Sequence, residues 1–83
     1  MKRLIAIVED EAAIRDNYAA AFAREGYAVR TYANRGQAMS AFATRLPDLA
    51  VIDISLEDEP EGGFELCRQL RALSPVLPII FLT

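Results

Sequence analysis

Leu49-Ala50-Val51-Ile52-Asp53-Ile54-Ser55-Leu56 decides how the rest of the chain is read. Four apolar residues lead into one carboxylate, and the sequence then turns acidic and Gly-rich. A short apolar run rich in Val and Ile reads as a buried strand covered on both faces. An Asp inside such a run is costly unless it stands at the strand's end, facing solvent or a cation. In open parallel α/β sheets, ligands bind outside the carboxyl ends of the strands, and Asp53 falls at such an end. An Asp there also caps turns, so this run alone leaves both roles open.

On the N-terminal side, Lys2 to Val8 repeats the plan: β-compatible residues ending in the acids Glu9, Asp10 and Glu11. Glu11 to Glu25 reads as helix, with Ile14, Tyr18, Ala21 and Phe22 forming an apolar stripe and Gly26 as its stop. Tyr27 to Tyr32 is aromatic and β-branched, which predicts a strand. Asn34 and Gln37 have capping-box spacing. The helix they open is expected to run to about Arg45, with Ala38, Phe42 and Leu46 facing inward, until Pro47-Asp48 breaks it. On the C-terminal side, Leu56 to Gly63 reads as loop. Phe64 to Leu73 reads as helix, with Leu66, Leu70 and Leu73 inward, and Pro78 to Thr83 as a fourth strand. The order βαβαβαβ predicts a parallel sheet with helical crossovers.

Eighty-three residues make one small domain at most. With 53% apolar and 25% charged residues the chain is globular rather than disordered. No apolar run is long enough to span a bilayer. The basic Lys2-Arg3 before an apolar run resembles a signal peptide, but the run is short and ends in acid without a small-residue cleavage pattern. Cys67 is the only cysteine, so no internal disulfide forms and a reducing, cytoplasmic setting is expected. The absence of histidine excludes His catalysis and His metal sites. A net charge of −3 with scattered basic residues argues against a nucleic-acid surface on this chain.

If the first and third strands are neighbours, Glu9, Asp10 and Asp53 meet at one edge of the sheet. Three carboxylates that close repel one another, so either one takes a proton or a cation binds among them. Oxygen-only ligands at an open site suit Mg²⁺. The competing reading is that the acids only favour the next helix N-terminus through its dipole. That suffices for Glu11 but does not explain why a second strand also ends in acid.

Ile5-Ala6-Ile7-Val8-Glu9-Asp10-Glu11, Val51-Ile52-Asp53-Ile54-Ser55-Leu56, Gly63-Phe64-Glu65-Leu66 and Ile79-Ile80-Phe81-Leu82-Thr83 together resemble the response-regulator receiver domain of bacterial two-component signalling. The resemblance runs over the whole chain in order, and the combination is what makes it specific. It implies a flavodoxin-like, doubly wound α/β fold with strand order 2-1-3-4. It implies that Asp53 accepts a phosphoryl group from a sensor histidine kinase. Mg²⁺ is then held by Asp10 directly, by Glu9 through water, by Asp53 and by the carbonyl of Ser55, and the Thr83 hydroxyl senses the phosphoryl group. The family's output is often transcriptional, through a DNA-binding effector domain outside this chain. Such a protein is a signalling switch rather than an enzyme, catalysing at most its own phosphorylation and dephosphorylation.

Residues 1–83 are expected to be the N-terminal two-thirds of such a domain, ending with the fourth strand. The family's Lys at the end of a fifth strand has no counterpart here, which is expected to slow phosphorylation. The bare fourth strand is expected to drive self-association. Pro60 and Gly63 match the Pro and Gly that usually follow the acceptor Asp, but the loop is about two residues longer. Glu57, Asp58, Glu59 and Glu61 read as a solvated loop or as tuning kinase choice. Two other functions stand beside the receiver reading. An interaction or dimerisation module would keep the fold without being phosphorylated. An aspartate-nucleophile phosphohydrolase commonly has a second Asp two residues after the first, where this chain has Ser55.

Overall fold

The computed structural model describes residues 2–56 and 60–82. Its elements alternate as β1 (Leu4–Val8), α1 (Ala12–Arg24), β2 (Ala28–Tyr32), α2 (Arg35–Phe42), β3 (Leu49–Asp53), α3 (Gly62–Leu73) and β4 (Ile79–Leu82). The four strands form one sheet in the order β2-β1-β3-β4, with every neighbouring pair parallel. This is the doubly wound topology and strand order expected from the sequence.

β1 is buried along its whole length, and Ala50, Val51 and Ile52 of β3 are buried beside it. These continuous apolar runs are what a strand covered on both faces requires. Alternation along each strand divides the core in two. Ala6, Val8, Ala50 and Ile52 pack with Ala38 and Phe42 of α2 and with Leu66 and Leu70 of α3. Ile5, Ile7 and Val51 face the other way, against Ala19 and Phe22 of α1. Thus α1 covers one face, and α2 and α3 the other. Asp48 ties the foot of the sheet together: its carboxylate accepts from Leu4 N–H at 2.6 Å, and its own N–H donates to Leu4 O at 2.7 Å.

Helix limits and faces depart from the sequence expectations at several places. α1 buries none of its residues. Ile14 and Tyr18 remain 37% and 38% exposed, because only the C-terminal half of the helix, at Ala19 and Phe22, rests on the sheet. α2 ends at Phe42, so Leu46 falls outside it and is exposed. α3 begins two residues early, at Gly62, and Leu73 in its last turn is half exposed. Phe64 is also an exposed residue of α3, and its ring meets Phe81 of β4 edge-on at 5.0 Å.

The loop signals hold better. Gly26 follows α1 with φ +95, a conformation that only glycine adopts without strain. Asn34 Oδ1 accepts from Gln37 N–H at 2.8 Å. In return, Gln37 Oε1 accepts from Ala33 N–H rather than from Asn34 N–H, so the capping box closes one residue further back. Cys67 is a half-buried free thiol on α3.

Candidate functional site

Parallel pairing sets the geometry of the site. Val8 is opposite Ile52 in the β1–β3 register, so the next residues, Glu9 and Asp53, stand side by side as the two strands leave the sheet. Glu9 keeps one more ladder bond, from its N–H to Tyr32 O at 3.0 Å. Carboxylate oxygens of Glu9, Asp10 and Asp53 all lie within 4.8 Å of one another. Glu9 is buried, Asp53 half-buried and Asp10 exposed. The trio opens into a cleft of about 370 Å³, lined also by Glu11, Ile14, Tyr18, Ser55 and Leu82. The outer half of the α1 stripe thus borders the acids instead of the core.

Ser55 lies at the same cleft. Its N–H donates to Asp53 Oδ1 at 3.4 Å, and its hydroxyl donates to Pro60 O at 3.4 Å, which ties the C-terminal end of β3 to the residues ahead of α3. Four of the sequence-predicted site residues, Glu9, Asp10, Asp53 and Ser55, are therefore brought together. Thr83 lies outside the described residues, as do Glu57, Asp58 and Glu59 of the acidic loop.

The electrostatics follow from crowding. Burial pushes the Glu9 carboxyl up from 4.5 to about 7. The N–H of Glu11, which donates to Glu9 Oε1 at 3.1 Å, pulls the other way. The charge of Asp53, a side-chain hydrogen bond to it, and the charge of Asp10 add to the rise. Burial disfavours the ionised form, and neighbouring anions disfavour it further.

Arg15 was not legible as a site residue. Its Nη1 donates to Glu9 O at 3.0 Å, six residues back. This half-buried guanidinium brings one positive charge from α1 against the turn that carries Glu9 and Asp10. The signal available in sequence was only that Arg15 follows Ile14 on the first turns of α1, and its reach back past the helix start shows only in three dimensions.

Comparison with known proteins agrees with this fold. Residues 5–83 match the family of response regulator receiver domains. The transcriptional regulatory protein CreB of Escherichia coli (strain K12) is 40% identical over 77 residues, which cover 93% of this chain and 33% of CreB. The response regulator MprA of Mycobacterium sp. (strain KMS) is 33% identical over 79 residues, covering 95% of this chain and 34% of MprA. This chain thus spans about a third of the length of these curated relatives. Among solved structures, a CheY-like receiver domain protein from Methanospirillum hungatei JF-1 superposes with a TM-score of 0.90 at 31% identity, over 98% of this chain and 63% of that one. The HemR receiver domain from Leptospira biflexa superposes with a TM-score of 0.89 at 27% identity, over 99% of this chain and 64% of that one. With its fold, its strand order and nearly all of its residues matched, the chain belongs to the response-regulator receiver domain family.

Proposed function

We propose that this chain is a phosphoryl-accepting switch in which Asp53 takes a phosphoryl group from a sensor histidine kinase. One observation carries the reading: Glu9, Asp10 and Asp53 converge within 4.8 Å where β1 and β3 leave the sheet, at the mouth of a solvent-facing cleft. Phosphoryl transfer needs positioning and charge neutralisation more than covalent assistance from the protein. An ionised Asp53 supplies the nucleophile: one carboxylate oxygen bonds to phosphorus as the bond from phosphorus to the donor breaks. Ser55 N–H, on Asp53 Oδ1, orients the carboxylate. Arg15 steadies the backbone of the acidic turn.

The residues fit a divalent cation. Their donors are hard oxygens, and the crowding and burial that raise the Glu9 carboxyl disfavour three unaided charges in the trio. Asp10 and Asp53 would hold Mg²⁺ directly, with Glu9 acting through water and the Ser55 carbonyl completing the protein ligands. Bound there, Mg²⁺ offsets the repulsion between the acids and an incoming phosphoryl group. The role of Thr83 as the hydroxyl that senses the phosphoryl group belongs to the same reading. Ser55, in place of a second Asp, disfavours turnover of a separate substrate as a phosphohydrolase. The likeness to CreB, a transcriptional regulatory protein, supports an output in transcription; a cytoplasmic location and a DNA-binding effector domain outside this chain belong to the same proposal.

The test is incubation with acetyl phosphate and Mg²⁺, read by intact mass. One phosphoryl group should be gained, and Asp53→Asn should abolish the gain. Asp10→Asn should raise the Mg²⁺ concentration needed by roughly 10-fold or more, since it removes a charged ligand. Labelling that survives in Asp53→Asn sinks the proposal.

A further inference from the structure

Gly63 does not line the cleft, and the site reading does not use it. It is buried in the first turn of α3. Its N–H donates to Ile54 O at 2.7 Å. A Cβ built on it would overlap the carbonyl oxygen of Asp53, and would lie 2.7 Å from Ile54 Cα and 2.8 Å from the Asp53 carbonyl carbon. These neighbours are backbone atoms, so no side chain can swing aside to make room. Nor is the backbone of Gly63 in the left-handed region. It is closeness that demands glycine here, not conformational freedom.

The peptide that leaves β3 is therefore held from two sides. Ile54 N–H donates to Leu82 O of β4 at 3.4 Å, while Ile54 O accepts from Gly63 N–H. With the close approach of Gly63 to Asp53 O, these bonds hold the peptides on both sides of Ile54. The carboxylate of Asp53 and the carbonyl of Ser55 project from this same short segment. Moving it would change the direction of both.

We infer that Gly63 is a positioning residue for the acceptor site: the first turn of α3, able to approach only because residue 63 has no side chain, sets where Asp53 and Ser55 point. The inference rests on the proposed acceptor role of Asp53 and adds to it the second wall of the site. Displacement of a reacting group by about 1 Å can lower a rate by roughly 100-fold. Gly63→Ala must push the segment by about that distance, because the overlap is with main chain.

The experiment measures labelling of Asp53 by acetyl phosphate in the full-length natural protein, at saturating Mg²⁺ and across a Mg²⁺ titration. Thermal stability is followed in parallel. Gly63→Ala should label roughly 10- to 100-fold more slowly than the unaltered protein at temperatures where both are folded, and should need more Mg²⁺. Leu70→Val, two turns further along α3 and buried in the core, should lower stability without slowing labelling. A second variant keeps the space and removes only the hydrogen bond. It replaces the Gly63 amide by an ester, through ligation at the native junction between Leu66 and Cys67, and should label about fivefold more slowly. If Gly63→Ala does not fold, the ester decides. Undiminished labelling in folded Gly63→Ala, or in the ester, overturns the inference while leaving the acceptor role of Asp53 standing. Absence of labelling in the unaltered protein overturns both.

Discussion

Glu9 concentrates the electrostatic tension of the molecule, being 4% exposed and beside two other acids. Its carboxyl is raised from 4.5 to about 7 in the fold, so folding favours the protonated form. The resulting stabilisation is fully present below about pH 4.5 and is lost as pH rises through about 7. At about 1.4 kcal/mol per pKa unit, the loss is about 3–4 kcal/mol in the absence of a cation. A cation among the acids offsets it by favouring the ionised form. Denaturant unfolding of the unaltered protein and of Glu9→Gln, from pH 4.5 to pH 8, isolates this residue. With a chelator present, the unaltered protein should lose about 3 kcal/mol relative to Glu9→Gln across the window, and Mg²⁺ should shrink that gap. Parallel pH profiles for the two proteins would remove Glu9 as the origin. The same protonation predicts that Mg²⁺ affinity falls as pH drops below about 7.

Asn34 carries the clearest local signal of any helix start, since its side chain accepts the N–H of Gln37 and satisfies an otherwise orphaned donor of α2. Asn34→Ala should lower stability by about 1 kcal/mol in equilibrium denaturation while leaving Asp53 labelling unchanged. A loss well under about 0.3 kcal/mol would show that α2 is held by Ala38 and Phe42 alone. Signals of this kind, local and chemical, are why the elements and their order were legible. Apolar runs named β1 and β3, the Gly26 break bounded α1, and the two acidic strand ends pointed to the carboxylate cluster. Helix faces were less legible. The Ile14–Tyr18–Phe22 spacing is a correct helical period, yet periodicity cannot say how far along α1 the sheet reaches, and the sheet stops at Ala19. Arg15 and Gly63 were illegible in role for a related reason. Each acts on the backbone of another segment, Glu9 O in one case and the Asp53 and Ile54 carbonyls in the other, and no side-chain pattern encodes such a contact.

β4 is the sheet's outer strand on the side of β3 among the described residues. Ile79 and Phe81 rest against the α2–α3 core, and Leu82 against the α1 core. Each of the three is only half-buried, and Ile80 is 51% exposed. A polypeptide carrying residues 1–83 and nothing more would therefore present a row of unpaired backbone groups flanked by uncovered apolar side chains. Full burial of a large apolar side chain contributes about 1.5–3 kcal/mol, so completing the burial of these four offers roughly 3–6 kcal/mol. That is a large share of the about 5–15 kcal/mol that stabilises a small domain. Edges of this kind pair with other chains unless charge or proline blunts them. Pro78 lies only at the near end of β4, and Ile79 to Leu82 carries no charge. The 83-residue polypeptide should accordingly self-associate through β4 and the face bearing Ile80, while a longer polypeptide that supplies its own neighbouring strand should not. Light scattering on both at micromolar concentration tests this. Ile80→Lys should shift the short polypeptide toward monomer, because it puts a charge on the open edge without disturbing a buried contact. A well-folded monomer from the unaltered short polypeptide would show that the edge is protected by means other than pairing.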